Sequence, residues 1–307
     1  MGRDFSYRSA DGITDIHAVE WIPEGDVRAV YLIAHGMQEY VRRYTPFAEF
    51  LKGHGIAVIG NDHLGHGESV APDGKHGYFA KENGNACLIE DMHTLRTKAE
   101  KKYEGLPVFY MGHSMGSFLV RQYIMMHGKG LAGAVIMGTG SQPGLILAIG
   151  IRMCISSAKK IGWESVDPKL AEIAMGSYNK RIDNPQTSVE WLTKDRSIHE
   201  KYLNDPWCTF PFTLNAYYNM FTGLQYIQRK ENEAKIPKEL PLFLVAGSED
   251  PVGHYGKDVP GIFARYKKLG IRDVGMKLYP GDRHEILNET DREVVYDDIY
   301  QWIEKHI

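Results

Sequence analysis

Six short apolar runs rich in β-branched and aromatic residues limit what this chain can become. They are residues 29–34 (AVYLIA), 56–60 (IAVIG), 108–111 (VFYM), 132–137 (AGAVIM), 242–246 (LFLVA) and 275–279 (GMKLY). A run that is apolar at nearly every position has no face to give to water, so these predict strands covered on both sides, as in a parallel sheet. Helical patterns lie between them, over residues 45–54, 82–103, 114–127, 255–269 and 289–307. This alternation predicts an α/β fold, a mostly parallel sheet with helices on both faces. Ahead of the first run, residues 5–23 alternate apolar and polar about Asp11-Gly12, which predicts a β-hairpin with a tight turn.

One interval breaks the alternation. Residues 141–235 contain no buried-strand pattern and are helical in period and rich in aromatics, among them Trp163, Trp191 and Trp207. The simplest organisation is a core made of residues 1–140 and 236–307 with a helical cap, 141–235, inserted between them and joined near Pro143 and Pro237. The most apolar stretch, residues 144–155 (GLILAIGIRMCI), is too short to span a bilayer and contains Arg152. It predicts a buried or cap helix; the sharper reading is an amphipathic element at an entrance that meets lipid.

Composition removes several classes of function. Lys and Arg number 36 against 39 Asp and Glu, a net charge of −3, so no basic field invites nucleic acid. The three cysteines, Cys87, Cys154 and Cys208, are odd in number, widely spaced and without a CxxC, which predicts reduced thiols in a cytoplasmic protein. Residues 1–6 carry an acid and no apolar run, so no secretory signal is expected; they also fit the loose acylation pattern M-G-x-x-x-[ST]. Asp62-His63-Leu64-Gly65-His66-Gly67 invites a metal reading, but further ligands at metal-site spacing and an H-E-x-x-H are missing. The better reading is a Gly-rich loop beside a pocket, with His35, His66 and His113 near the site and no metal.

Gly112-His113-Ser114-Met115-Gly116 is a G-x-S-x-G motif between the run VFYM and the helical stretch FLVRQYIMMH. On a sharp strand-to-helix turn the flanking glycines remove Cβ atoms that would collide, and the serine is raised at a helix N-terminus that favours developing negative charge. A serine hydroxyl needs an adjacent base. With this motif the acid and then the histidine follow later in the chain, after late strands. LFLVA leads into Gly247-Ser248-Glu249-Asp250, and GMKLY into Gly281-Asp282-Arg283-His284. Asp250 and His284 are therefore the expected acid and base, with Glu249 and Asp282 the rival acids. The expected oxyanion donors are the backbone N–H of Met115, after the nucleophile, and of Met37, after the first long strand.

These stretches together resemble the monoacylglycerol lipase and lysophospholipase branch of the α/β-hydrolases. The matching segments are AHGMQEYVRRYTPFAEFL, NDHLGHGES, YMGHSMGS, LVAGSEDPVG and GDRHEILNE, in the expected order, with RIDNPQTSVEWLTKD and DPWCTFPFT in the cap similar to bacterial members. The resemblance implies an α/β-hydrolase fold with an inserted helical cap and a triad of Ser114, Asp250 and His284. It implies oxyanion donors at Met37 and Met115, no cofactor, and cleavage of carboxylic esters of glycerol, of lysophospholipid or of short to medium acyl chains. Relatives of the prolyl aminopeptidase kind keep amide, peptide or thioester cleavage open. A ligand receptor with a vestigial triad is the reading from another class. The implied partner is a small ester or lipid, with transient membrane or micelle contact through the cap.

Overall fold

A computed structural model describes residues 2–307; Met1, and with it the start of the acylation pattern, lies outside the described residues. The strands are β1 (Arg3–Arg8), β2 (Asp15–Trp21), β3 (Ala29–Ala34), β4 (Ile56–Asn61), β5 (Val108–His113), β6 (Gly133–Met137), β7 (Leu242–Gly247) and β8 (Val274–Tyr279). The helices are α1 (Thr45–Gly53), α2 (Gly84–Lys102), α3 (Met115–His127), α4 (Gly144–Ile161), α5 (Pro168–Met175), α6 (Arg196–Leu203), α7 (Leu214–Ile227), α8 (Lys230–Glu233), α9 (Asp258–Lys268) and α10 (Arg292–Glu304). The strands form one sheet in the order β1-β2-β4-β3-β5-β6-β7-β8. β1 and β2 are the expected hairpin, with Arg8 opposite Asp15 and Gly12 at φ +80° in its turn. β2 meets β4 antiparallel, and every later pairing is parallel.

Two hydrophobic clusters explain why the runs are apolar at every position. Val30, Leu32, Tyr110, Ile136 and Leu244 face α2, α3 and α9. Tyr31, Ile33, Phe109, Val135 and Val245 face α1 and α10, where they meet Phe47, Ile299 and Trp302. Successive side chains of a strand point to opposite faces, so helices on both sides leave no position for a polar residue. β8 departs from this expectation. It lies at the sheet edge, so Met276 is 36% exposed and Lys277 reaches Asp298.

Between β6 and β7 the chain forms α4 to α8 and no strand. α4 packs along α7, which packs on α3. Only Leu147, Gly150, Cys154 and Ala158 are buried in α4, one stripe at helical spacing. Leu145, on the opposite side, is 74% exposed. Full burial of residues 144–155 is thereby excluded in favour of a cap helix, whose outward side is apolar at Leu145, Ile146 and Ile149. No helix among the described residues is long and apolar enough to cross a membrane.

Candidate active site

β5 ends at His113 and α3 begins at Met115, leaving Ser114 at the corner with φ +54° and ψ −121°. Few non-glycine residues hold such a conformation, and it persists only where the surroundings impose it. Here they do. A Cβ on Gly112 would lie 2.1 Å from the Gly116 carbonyl oxygen, and one on Gly116 would lie 2.0 Å from that of Ala34. The corner is pinned by the Ser114 N–H, which donates to Met137 O at 3.0 Å. The backbone N–H groups of Met115, at the first position of α3, and of Met37, just past β3, have no protein acceptor among the described residues. Both residues line the cavity that Ser114 lines.

His284 and Asp250 come from the loops after β8 and β7, and both side chains are buried. His284 Nδ1 lies 3.0 Å from Asp250 Oδ1, which also accepts the Val252 N–H at 2.9 Å. A carboxylate on Nδ1 fixes the tautomer that leaves Nε2 to accept a proton. Ser114 and His284 line the same cavity. Gly138, at φ +58°, makes room: a Cβ there would stand 3.2 Å from His284 Cε1. The rival acids are placed elsewhere. Glu249 is exposed, and Asp282 is buried but engages Lys194 Nζ at 2.7 Å.

Behind the corner lies a buried charge cluster that motif reading did not find. Glu39 Oε1 accepts from the Gly36 N–H and from Tyr44 OH, and lies 3.2 Å from His113 Nδ1. Arg43 donates to Glu39 Oε2 at 2.9 Å and, with two parallel bonds of 2.8 Å, to Glu285. Burial opposes the charge on both carboxylates. The His113 hydrogen bond and Arg43 outweigh it at Glu39, and Arg43 outweighs it at Glu285, so both stay below the usual carboxylate range. Burial likewise opposes charge on His113, but Glu39 raises its pKa. The cluster joins the Gly36–Met37 loop, the residue before the serine and the residue after the histidine. Its signal was present in AHGMQEYVRRY and GDRHEILNE as charges adjoining each motif, without anything to say that they point inward.

The cavity holds about 330 Å³. Ser114, His284 and Met37 line it together with the apolar side chains of Leu147, Met153, Phe118 and Phe221. His113 lines it as expected, whereas His35 and His66 stand outside its lining. His35 donates from Nδ1 to Gly36 O and accepts the His63 N–H at Nε2, so both its ring nitrogens are committed. Burial pushes His63 down to about 4 and His66 to about 3, leaving neutral rings. Asp62 accepts the N–H groups of Val41 and Glu68 and binds His17, which makes it the anchor of its loop. No group of three or more His, Cys, Asp or Glu among the described residues could hold a metal ion.

Comparison with known proteins places the chain among ester hydrolases of this fold. The family described as "Serine aminopeptidase, S33" matches residues 25–291. A monoacylglycerol lipase of Mycolicibacterium smegmatis is 26% identical, covering 99% of this chain and 98% of its own length. A human monoglyceride lipase is 23% identical over 92% of this chain and 84% of its own. Among solved structures, a highly thermostable carboxyl esterase from Bacillus coagulans, in complex with glycerol, superposes with a TM-score of 0.92 at 30% identity, covering 99% of this chain and 98% of that one. An epoxide hydrolase from Vigna radiata, at 18% identity and a TM-score of 0.65, shares the α/β-hydrolase fold.

Proposed function

We propose that this chain, which belongs to the serine aminopeptidase S33 family and is a carboxylic ester hydrolase, cleaves monoacylglycerols or related acyl esters through an acyl-enzyme on Ser114. In this reading Ser114 Oγ attacks the ester carbonyl while His284 Nε2 takes its proton and Asp250 stabilises the imidazolium. The Met37 and Met115 N–H groups receive the oxyanion. Collapse of the tetrahedral intermediate expels the alcohol, which takes the proton back from His284, and water repeats the sequence on the acyl-enzyme. The helical segment 141–235 serves as the cap that walls the acyl chain.

The observation that carries the reading is the chemistry of the cavity. It is walled by apolar side chains, and the only carboxylates that line it among the described residues are Glu39 and Glu285, both held by Arg43. A substrate with a free α-amine would want an uncommitted carboxylate; an acyl chain does not. That favours esters over aminoacyl amides, despite the family's name. Ile146, Ile149 and Ile173 line the cavity and are also half exposed or more, next to Leu145, so an apolar path runs from the mouth to the surface. This supports transient contact of the cap with a membrane or micelle. A cytoplasmic setting is supported by the three cysteines, all free and buried.

The test is a panel of p-nitrophenyl esters of rising chain length, with a monoacylglycerol, a lysophospholipid and an aminoacyl amide beside them. Each methylene buried gains about 0.8 kcal/mol, so kcat/KM should climb roughly four-fold per CH₂ until the cavity is filled. Ser114→Ala should lose turnover and labelling by a fluorophosphonate. Amide turnover equal to ester turnover, or ester hydrolysis surviving in Ser114→Ala, refutes the assignment.

A further inference from the structure

The loop that carries His284 is fastened from outside the core. His284 N–H donates to Trp191 O at 3.3 Å, and Glu285 N–H to Leu192 O at 2.6 Å. Arg283 Nη1 donates to Glu190 O at 2.7 Å and to Thr193 O at 3.1 Å. Residues 190–193 thus lie along residues 283–285 as a short strap. Glu289, fully buried, ties the two together. Its Oε1 accepts the Arg283 N–H at 2.8 Å; its Oε2 accepts the Lys194 N–H and the Thr193 hydroxyl at 3.0 Å each. The strap also supplies a ring. The Trp191 indole lies 5.0 Å from the His284 imidazole, centroid to centroid, and Tyr178 meets the indole edge-on at 4.7 Å. His113 flanks the imidazole at 4.6 Å.

Asp250 restrains the imidazole at Nδ1, and one hydrogen bond leaves a ring free to tilt and its loop free to slide. The strap takes the N–H groups of His284 and Glu285 while His113 Nε2 meets the His284 carbonyl oxygen at 3.2 Å, and what limits the tilt is the pair of neighbouring rings. We propose that Glu289 and Trp191 are positioning residues for His284, so that the insertion supplies part of the support of the catalytic base as well as covering the acyl chain. The inference rests on His284 being that base. A carboxylate suits position 289 because three donors converge on its two oxygens. An amide there turns an NH₂ group toward at least one of them, and either the Arg283 side or the Thr193–Lys194 side of the latch opens. Misplacement of a catalytic group by about 1 Å can cost on the order of 10²-fold in rate.

The experiment compares the parent with Glu289→Gln, Trp191→Ala and Trp191→Phe. Steady-state hydrolysis of a short acyl ester, which barely reaches the cap, gives kcat and KM. Proton NMR follows the downfield resonance of the His284 Nδ1–H bonded to Asp250. We expect kcat in Glu289→Gln and Trp191→Ala to fall ten- to hundred-fold with KM within about three-fold of the parent. The downfield resonance should broaden or vanish in both. Trp191→Phe, which keeps a flat ring beside the imidazole, should restore most of kcat and the resonance. Folded Glu289→Gln and Trp191→Ala proteins with parental kcat and an unmoved resonance overturn the proposal. Should Glu289→Gln not fold, the Trp191 pair gives the same decision. A parent without ester turnover would sink the proposed function, while the resonance would still decide whether the strap holds the imidazole.

Discussion

Replacing Gly116 by alanine places one methyl carbon 2.0 Å from Ala34 O and 2.5 Å from His35 O. Both are backbone atoms at the end of β3, so no side chain can swing aside. Ordinary carbon–oxygen contact needs more than 3 Å, so β3 and α3 must separate by about 1 Å or the serine corner must turn. Either movement parts the two proposed oxyanion donors, because Met37 follows β3 and Met115 immediately precedes Gly116. Such donors act only when 2.7–3.1 Å from the oxyanion, and loss of one costs about 2.7–4 kcal/mol, or 10²–10³ in kcat. Overpacking will also destabilise the fold by about 1–3 kcal/mol, so melting must accompany the kinetics. The control is Gly261→Ala in α9, where the added Cβ meets nothing within 4 Å; there the helix should gain stability, by about 0.5–1 kcal/mol, with no change in turnover. The assay is p-nitrophenyl butyrate hydrolysis at a temperature where all proteins are folded. A folded Gly116→Ala enzyme with kcat within three-fold of the parent would refute the argument that this contact sets the donor geometry.

Leu145→Asp, on the exposed side of α4, should reduce partition onto anionic lipid vesicles by ten-fold or more, since an exposed leucine contributes about 1.5–3 kcal/mol when buried. Hydrolysis of a soluble short ester should be unchanged; equal vesicle binding in a sedimentation assay would remove the cap from the contact. His17 gives a pH-dependent prediction: burial opposes its charge, but Asp62, Asp4 and Glu68 outweigh it and raise its pKa from 6.5 to about 9. A raised folded-state value means that the imidazolium stabilises fully below pH 6.5 and ceases to do so as pH rises through about 9. The stability gap between the parent and His17→Gln in urea should therefore be widest in acid and close across that window; a gap independent of pH counts against the ion pairs.

The parts of the fold that were legible are those decided by local pattern. Runs such as AVYLIA state that both faces are covered, and Asp11-Gly12 between alternating segments states a hairpin. The same logic misjudged β8, because GMKLY resembles a central run and only its place at the sheet edge exposes Met276. For the site, the glycines of G-x-S-x-G announced a crowded corner, but only the crowding at Gly112 is local; the atoms that crowd Gly116 belong to Ala34 and His35, some 80 positions away in sequence. Asp250 could be preferred to Glu249 and Asp282 by position alone, and the geometry joins Asp250 to His284. Glu39, Arg43, Glu285 and Glu289 were not legible. Charged residues in a loop normally face water, and what turns these inward is pairing between segments 74 to 242 residues apart.

The charge balance of that interior explains why it holds together. Glu39 and Glu285 bring two negative charges, and Arg43 alone supplies one positive. A buried carboxylate without a partner is strongly destabilising, and removing one member of such a group typically costs about 3–5 kcal/mol. His113 adds to the balance: Glu39 Oε1 lies 3.2 Å from its Nδ1 and raises its pKa against the effect of burial. The residue just before Ser114 is thus held to the loop that carries Met37, one of the two proposed oxyanion donors. Its Nε2 also lies 3.2 Å from the His284 carbonyl oxygen. Serine corner, donor loop and histidine loop come from three different strand ends, and each is joined to the others through a buried group with few alternative partners. A substitution in this cluster would therefore change the relative placement of all three at once, and double substitutions within it should not be additive in either stability or rate.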